Sequence, residues 1–287
     1  MPSSAPENTT ARGLDVPGAR LYYEVRGSGP LLLIIGAPMG SMFFTELADQ
    51  FVADHTVLTY DPRGISRSTL TGPAGDDTPD TRAEDVRGLI EAMGGGPVDV
   101  FGSSGGAMTG LALVQRHPDL VRTLVAHEPP LIDVLSDAEE QLAWGQELHR
   151  TWREEGQDAA FGKFLAGAGF DSPPEPAGAA GDAPDGPGED LPFPLSTEEM
   201  RANNDYFFGH MMVSTVRYLP DGAALRAAST RVVIGAGSTR PDQLTYRTSV
   251  ATAELLGTSV VHFPGDHGGF LSHTVEFAEV LRRTLDG

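Results

Sequence analysis

The chain has no cysteine among its 287 residues. Disulfides, thiolate nucleophiles and cysteine-ligated metals are therefore excluded. Long apolar runs are missing too. The longest, residues 31–35, is about five residues, against the roughly 20 that a membrane-spanning helix needs. Positive charge is scarce. Lysine occurs once, at Lys163, and 20 Lys and Arg face 40 Asp and Glu, for a net charge of -20. Such a surface repels nucleic acid and anionic membranes, so neither is expected as a partner. The first ten residues are polar and hold no basic region followed by an apolar one. No secretory signal is expected there, and the protein is expected to be cytoplasmic.

What is present is ordinary core material. Hydrophobic residues make up 40% of the chain, enough for one large α/β domain or two small ones. Residues 1–12 read as a loose tail. Segments 13–17 and 20–27 read as a hairpin turning at Gly18, with Leu21, Tyr23 and Val25 alternating. Residues 31–35 are continuously apolar, as in a strand buried on both faces, and end in Gly36-Ala37-Pro38. A helix is predicted over 42–53 and a strand over 57–60, the latter followed by Asp61-Pro62-Arg63-Gly64. Val86, Leu89, Ile90 and Met93 then repeat at helical spacing. Another strand, 121–126, follows. The alternation predicts an α/β fold with a mostly parallel sheet flanked by helices.

After Pro130 the pattern breaks. Residues 131–170 are helical and amphipathic, 171–194 are rich in Pro, Gly, Asp and Ala and read as a flexible loop, and helical character returns over 196–218. Residues 131–225 are therefore expected to be a helical cap inserted into a core domain made of 1–130 and 226–287. The α/β pattern resumes with strands 232–235 and 260–263 and helices 243–256 and 274–285.

The chemistry centres on Gly102-Ser103-Ser104-Gly105-Gly106, between a short apolar run and a helix-compatible segment. This is G-x-S-x-G at a strand-to-helix turn. A serine at such a tight turn is strained, and its neighbours two before and two after come too close for side chains. Ser104 meets that requirement. Ser103 does not, because Phe101 lies two before it. A serine hydroxyl needs a base. Of the eight histidines, His267 stands in a glycine-rich loop directly after the last strand, at the carboxyl end of the sheet where Ser104 also lies. His127 adjoins the site by sequence. His262, His273, His55, His117, His149 and His210 are weaker candidates. The glycine loop lacks the Lys-Ser/Thr ending of a phosphate loop, and no ligand-spaced cluster suggests a metal.

Taken together, Gly36-Ala37-Pro38, Asp61-Pro62-Arg63-Gly64, the 102–106 elbow, His117-Pro118 and the His267 loop resemble the α/β-hydrolase superfamily over nearly the whole chain apart from the cap. The resemblance implies the α/β-hydrolase fold, with an eight-stranded, mostly parallel sheet and a lid over the site. It implies an oxyanion hole from the N–H groups of Ala37 and Gly105 and no cofactor. Ile35 departs from the histidine that often begins that loop, at a position where only a backbone donor is needed. The Asp61 and Arg63 turn is mainly structural in the family.

In most relatives the acid follows the next-to-last strand. Here that stretch reads Gly237-Ser238-Thr239-Arg240-Pro241, with Asp242 a few residues late. Glu128, at the end of the strand after the elbow helix, matches the acid position of some other members. Glu128 is the leading acid, with Asp242, or no acid at all, as the alternatives. Ser104 in place of the aspartate nucleophile of haloalkane dehalogenases and epoxide hydrolases points to acyl transfer. The expected activity is a serine hydrolase cleaving a small-molecule carboxylic ester or lactone. Met39, Met42, Phe43, Trp144, Phe207 and Met211 are candidates to line an apolar pocket, or are lid core. The alternatives are an amidase, a C–C hydrolase, a perhydrolase, or a non-hydrolytic homologue that binds ligand.

Overall fold

The computed structural model describes residues 9–167 and 197–287. The predicted flexible loop 171–194 lies outside the described residues. In chain order the strands are β1 (Thr10–Val16), β2 (Ala19–Gly27), β3 (Leu31–Ala37), β4 (Thr56–Tyr60), β5 (Thr69–Leu70), β6 (Val98–Ser104), β7 (Val121–His127), β8 (Arg231–Gly237) and β9 (Val261–Phe263). The helices are α1 (Thr45–Asp49), α2 (Pro79–Ala92), α3 (Gly105–Arg116), α4 (Ala138–Glu155), α5 (Gln157–Gly167), α6 (Thr197–Tyr206), α7 (Met212–Val216), α8 (Gly222–Ala227), α9 (Leu244–Leu256), α10 (Gly269–Ser272) and α11 (Thr274–Asp286).

The strands form one sheet in the order β1-β2-β4-β3-β6-β7-β8-β9, with β5 added beside β2. From β4 to β9 every neighbouring pair is parallel. The apolar run of β3 has the doubly buried character its sequence predicts. Leu33 and Ile35 join a core with α2 and α3 on one face, whereas Leu32 and Ile34 join Phe44, Phe51, Phe270 and Phe277 on the other.

Among the described residues the sheet is an eight-strand path, with the two-residue β5 added beside it where Leu70 pairs with Ala19. Two expectations are corrected. The tail is ordered from Thr10, which pairs with Val25. Thr10–Arg12 are exposed and hold no large apolar side chain, so this first part of β1 leaves no hydrophobic pattern to read. The helix expected over 42–53 is a 3-10 turn, Ser41–Phe44, followed by the short α1.

Between β7 and β8 the described chain is helical, α4 to α8, with a π-helical turn at Phe207–Met211 joining α6 to α7. This segment is bonded to the sheet domain. The Asn203 side chain accepts from Ser66 N (2.7 Å) and donates to Ser66 Oγ (3.0 Å). The Tyr206 ring lies so close to Gly64 that a Cβ there would sit 2.4 Å from it. No described helix is long and apolar enough to cross a membrane.

Candidate active site

Three adjacent strands end in one row. The parallel register sets Ala37 of β3 beside Ser104 of β6, and Ser103 beside His127 of β7, so Glu128 follows one step beyond β7. Ser104 is the hinge between β6 and α3, with φ 57° and ψ -124°, a left-handed backbone that is strained for any side chain. The glycines flanking it are required by close approach. A Cβ at Gly102 would lie 2.6 Å from the Gly106 carbonyl oxygen, and one at Gly106 would lie 2.3 Å from that of Ile35. Ser104 is the N-cap residue of α3, so the first N–H groups of that helix, its positive end, begin at the elbow.

Gly105 also abuts β3, since a Cβ on it would come 2.6 Å from the Ala37 carbonyl oxygen. The loop leaving Ala37 is tied down by Asp61. This fully buried carboxylate accepts from Ser41 N (2.8 Å), Ser41 Oγ (2.9 Å) and Arg67 Nε (2.7 Å). The structural role expected of Arg63 is visible in its short pair with buried Asp85 (2.5 Å).

Glu128 is buried and, like Ser104, has a positive φ of 49°. Its Oε2 lies 2.7 Å from His267 Nδ1 and accepts from Thr245 Oγ1 at 2.6 Å, and its Oε1 accepts from Gly237 N at 2.8 Å. Burial raises the pKa of this carboxyl. The His267 hydrogen bond and charge, with smaller help from His127 and Thr245, outweigh burial and lower it to about 2. His267 stands in the loop between β9 and α10. That loop packs on the end of β8, where Ser238 N donates to the carbonyls of Phe263 (3.0 Å) and Gly265 (2.8 Å). Asp242 lies elsewhere, exposed and paired with Arg240 at 3.1 Å.

His127 is wholly buried among Phe101, Phe263 and Phe277, and its ring faces that of His267 at 6.4 Å and 20°. Burial, opposed by Glu128 and aided by His267, lowers its pKa to about 4. Other histidines are engaged elsewhere: His117 with Glu84, His262 with Tyr246 and His149 with the Phe208 carbonyl.

Of the pocket candidates, Phe207 and Met211 gather on Ala37 together with Ile65 and Tyr206. Met39 and Phe43 pack against the Phe44 and Phe270 core, Met42 is half-buried, and Trp144 stacks on Phe164 inside the helical segment. Ile65, Thr245 and the Gly237 amide carried no signal in the sequence, since each reaches the site through contacts remote in the chain. Among the described residues no group of three His, Asp or Glu side chains could hold a metal ion.

The fold agrees with the comparisons to known proteins. The family model for the alpha/beta hydrolase fold matches residues 29–173. A Bacillus subtilis protein, uncharacterized hydrolase YraK, is 31% identical over 280 residues, 95% of each chain. A thermophilic esterase from Thermogutta terrifontis superposes with a TM-score of 0.73 at 16% identity, over 96% of this chain and 98% of that one. The enol-lactonase from Burkholderia xenovorans gives a TM-score of 0.70 at 16% identity, over 96% and 100%. At such low identity these two structures speak for the fold alone, while the match over the whole length of the Bacillus protein and the family model go further: the chain belongs to the α/β-hydrolase family.

Proposed function

We propose that the protein is a serine hydrolase of carboxylic esters or lactones that works through an acyl-enzyme. The observation that carries this reading is the buried 2.7 Å bond between Glu128 and His267, one strand over from a serine held in a strained elbow. Ser104 Oγ attacks the substrate carbonyl carbon as His267 Nε2 takes its proton. Glu128 keeps the other imidazole proton on Nδ1 and stabilises the imidazolium. The Ala37 and Gly105 N–H groups receive the oxyanion, each donor contributing about 3 kcal/mol in the transition state. The tetrahedral adduct collapses, and the leaving alkoxide takes the proton from His267. Water then gives a proton to the same nitrogen and attacks the acyl carbon, and the second adduct collapses as His267 returns that proton to Ser104 Oγ, releasing the acid and free Ser104.

The described helices α4 to α8 act as the lid in this reading, and Ile65, Phe207 and Met211 present an apolar wall beside Ala37 for one side of the substrate. An enzyme labelled by a fluorophosphonate, and giving a burst of p-nitrophenol from a short-chain ester, is expected, with both lost in Ser104→Ala. Wild type that neither labels nor turns over esters and lactones overturns the proposal.

A further inference from the structure

Arg82, on α2, is the largest side chain in the described protein with essentially no exposure. Its guanidinium reaches three separate elements. Nη1 donates to Asp77 Oδ1 (2.9 Å) and to the Asp77 carbonyl (3.0 Å) in the loop before α2. Nε donates to Thr109 Oγ1 (3.2 Å) on α3, and Nη2 donates to Thr215 Oγ1 (3.2 Å) on α7. Thr109 in turn donates its hydroxyl proton to the Gly105 carbonyl (2.9 Å), at the foot of the elbow helix. Asp77 is equally buried and extends the contact to the helical segment. Its N–H donates to the His210 carbonyl (2.9 Å), and its carbonyl accepts from Ser214 Oγ (2.5 Å).

A buried ion pair is a poor way to gain stability, because removing both charges from water costs about what their attraction returns. It is a good way to fix a register, since an unmatched buried charge is costly in every other arrangement. Here the register is that of the helical segment on the elbow. The same segment presses Met211 on Ala37. One stretch, residues 206–216, thus touches Ala37 directly and Gly105 through Thr215, Arg82 and Thr109.

We propose that Arg82 is a positioning residue that couples the seating of residues 206–216 to the oxyanion donor at Gly105. The proposal rests on the hydrolase reading for the role of Gly105, whereas the coupling itself is a property of the fold. Two nearly isosteric variants, Thr109→Val and Thr215→Val, each remove one hydroxyl from the relay. Each is expected to lower kcat on p-nitrophenyl acetate about fivefold with KM unchanged, and the double variant to be no slower than either one. Amide hydrogen exchange in the intact protein should quicken about tenfold over residues 104–110 in both variants, including the one substituted over a hundred residues away. Effects on kcat that multiply, or a Thr215→Val protein whose exchange over 104–110 matches wild type, overturn the coupling. Exchange needs no substrate, so it decides the coupling even if wild type turns over no ester, a result that overturns only the proposed function.

Discussion

His127 and Glu128 are neighbours in the chain, one held neutral and the other anionic. Burial keeps His127 neutral, with a pKa of about 4 against an ordinary 6.5, and Glu128 stays a carboxylate down to about 2. Both shifts make acid destabilising. For His127 the unfolded chain takes up a proton near pH 6.5 while the folded protein refuses it until about 4. Stability is therefore lost as pH falls through that window, by on the order of 3 kcal/mol. Glu128 contributes a similar amount above its ordinary value, lost as pH falls toward about 2. Urea midpoints measured from pH 7 to 4 should fall steadily in wild type and stay much flatter in His127→Phe. Glu128→Gln keeps the shape but loses the charge and one of the two acceptor oxygens, so it cannot accept from both His267 Nδ1 and Gly237 N. It should lower kcat by about 10²- to 10⁴-fold at similar KM, while Asp242→Asn, at an exposed pair, stays within about twofold. The reverse ranking would move the acid to Asp242.

At the scale of elements, the elbow is a packing device before it is a chemical one. Gly106→Ala forces a Cβ to within 2.3 Å of a backbone oxygen in β3, where no side chain can yield. A loss of more than about 3 kcal/mol in denaturant unfolding is expected, or no soluble protein. Gly162, inside α5, has open space within 4 Å of the point where a Cβ would stand, so Gly162→Ala should raise stability by about 0.5–1 kcal/mol. The contrast also marks what could be read in advance. The places of Ser104, Glu128 and His267 after strand ends are legible in the sequence because buried strands advertise their ends. Thr215, Thr245 and Ile65 are not, because a single hydroxyl or methyl that meets its partner across a hundred residues has no periodic signature. The π-helical turn at Phe207–Met211 was likewise hidden. It needs carbonyls taken by groups outside the helix, as Asp77 N and His149 Nδ1 take those of His210 and Phe208.

Over the whole molecule, the net charge of -20 sets a self-repulsion that no single pair relieves. Many pairs, such as Arg150 with Glu147 and Arg20 with Asp15, are exposed at the surface and contribute little each. Raising NaCl from about 10 mM to 200 mM should therefore raise the melting temperature, since salt shortens the reach of like-charge repulsion to about 10 Å or less. A fall would mean that the surface pairs outweigh the repulsion.

The placement of Glu128 has one further consequence. The chain leaving β8 supplies the amides of Gly237, Ser238 and Thr239 near the site and, further on, the Thr245 hydroxyl. Between them Arg240 pairs with exposed Asp242 at 3.1 Å. With Glu128 as the proposed acid on the neighbouring strand, residues 240–242 need supply no carboxylate. Peptides of other sequence swapped in there are expected to redraw the surface of the molecule while the bond between Glu128 and His267 stays whole.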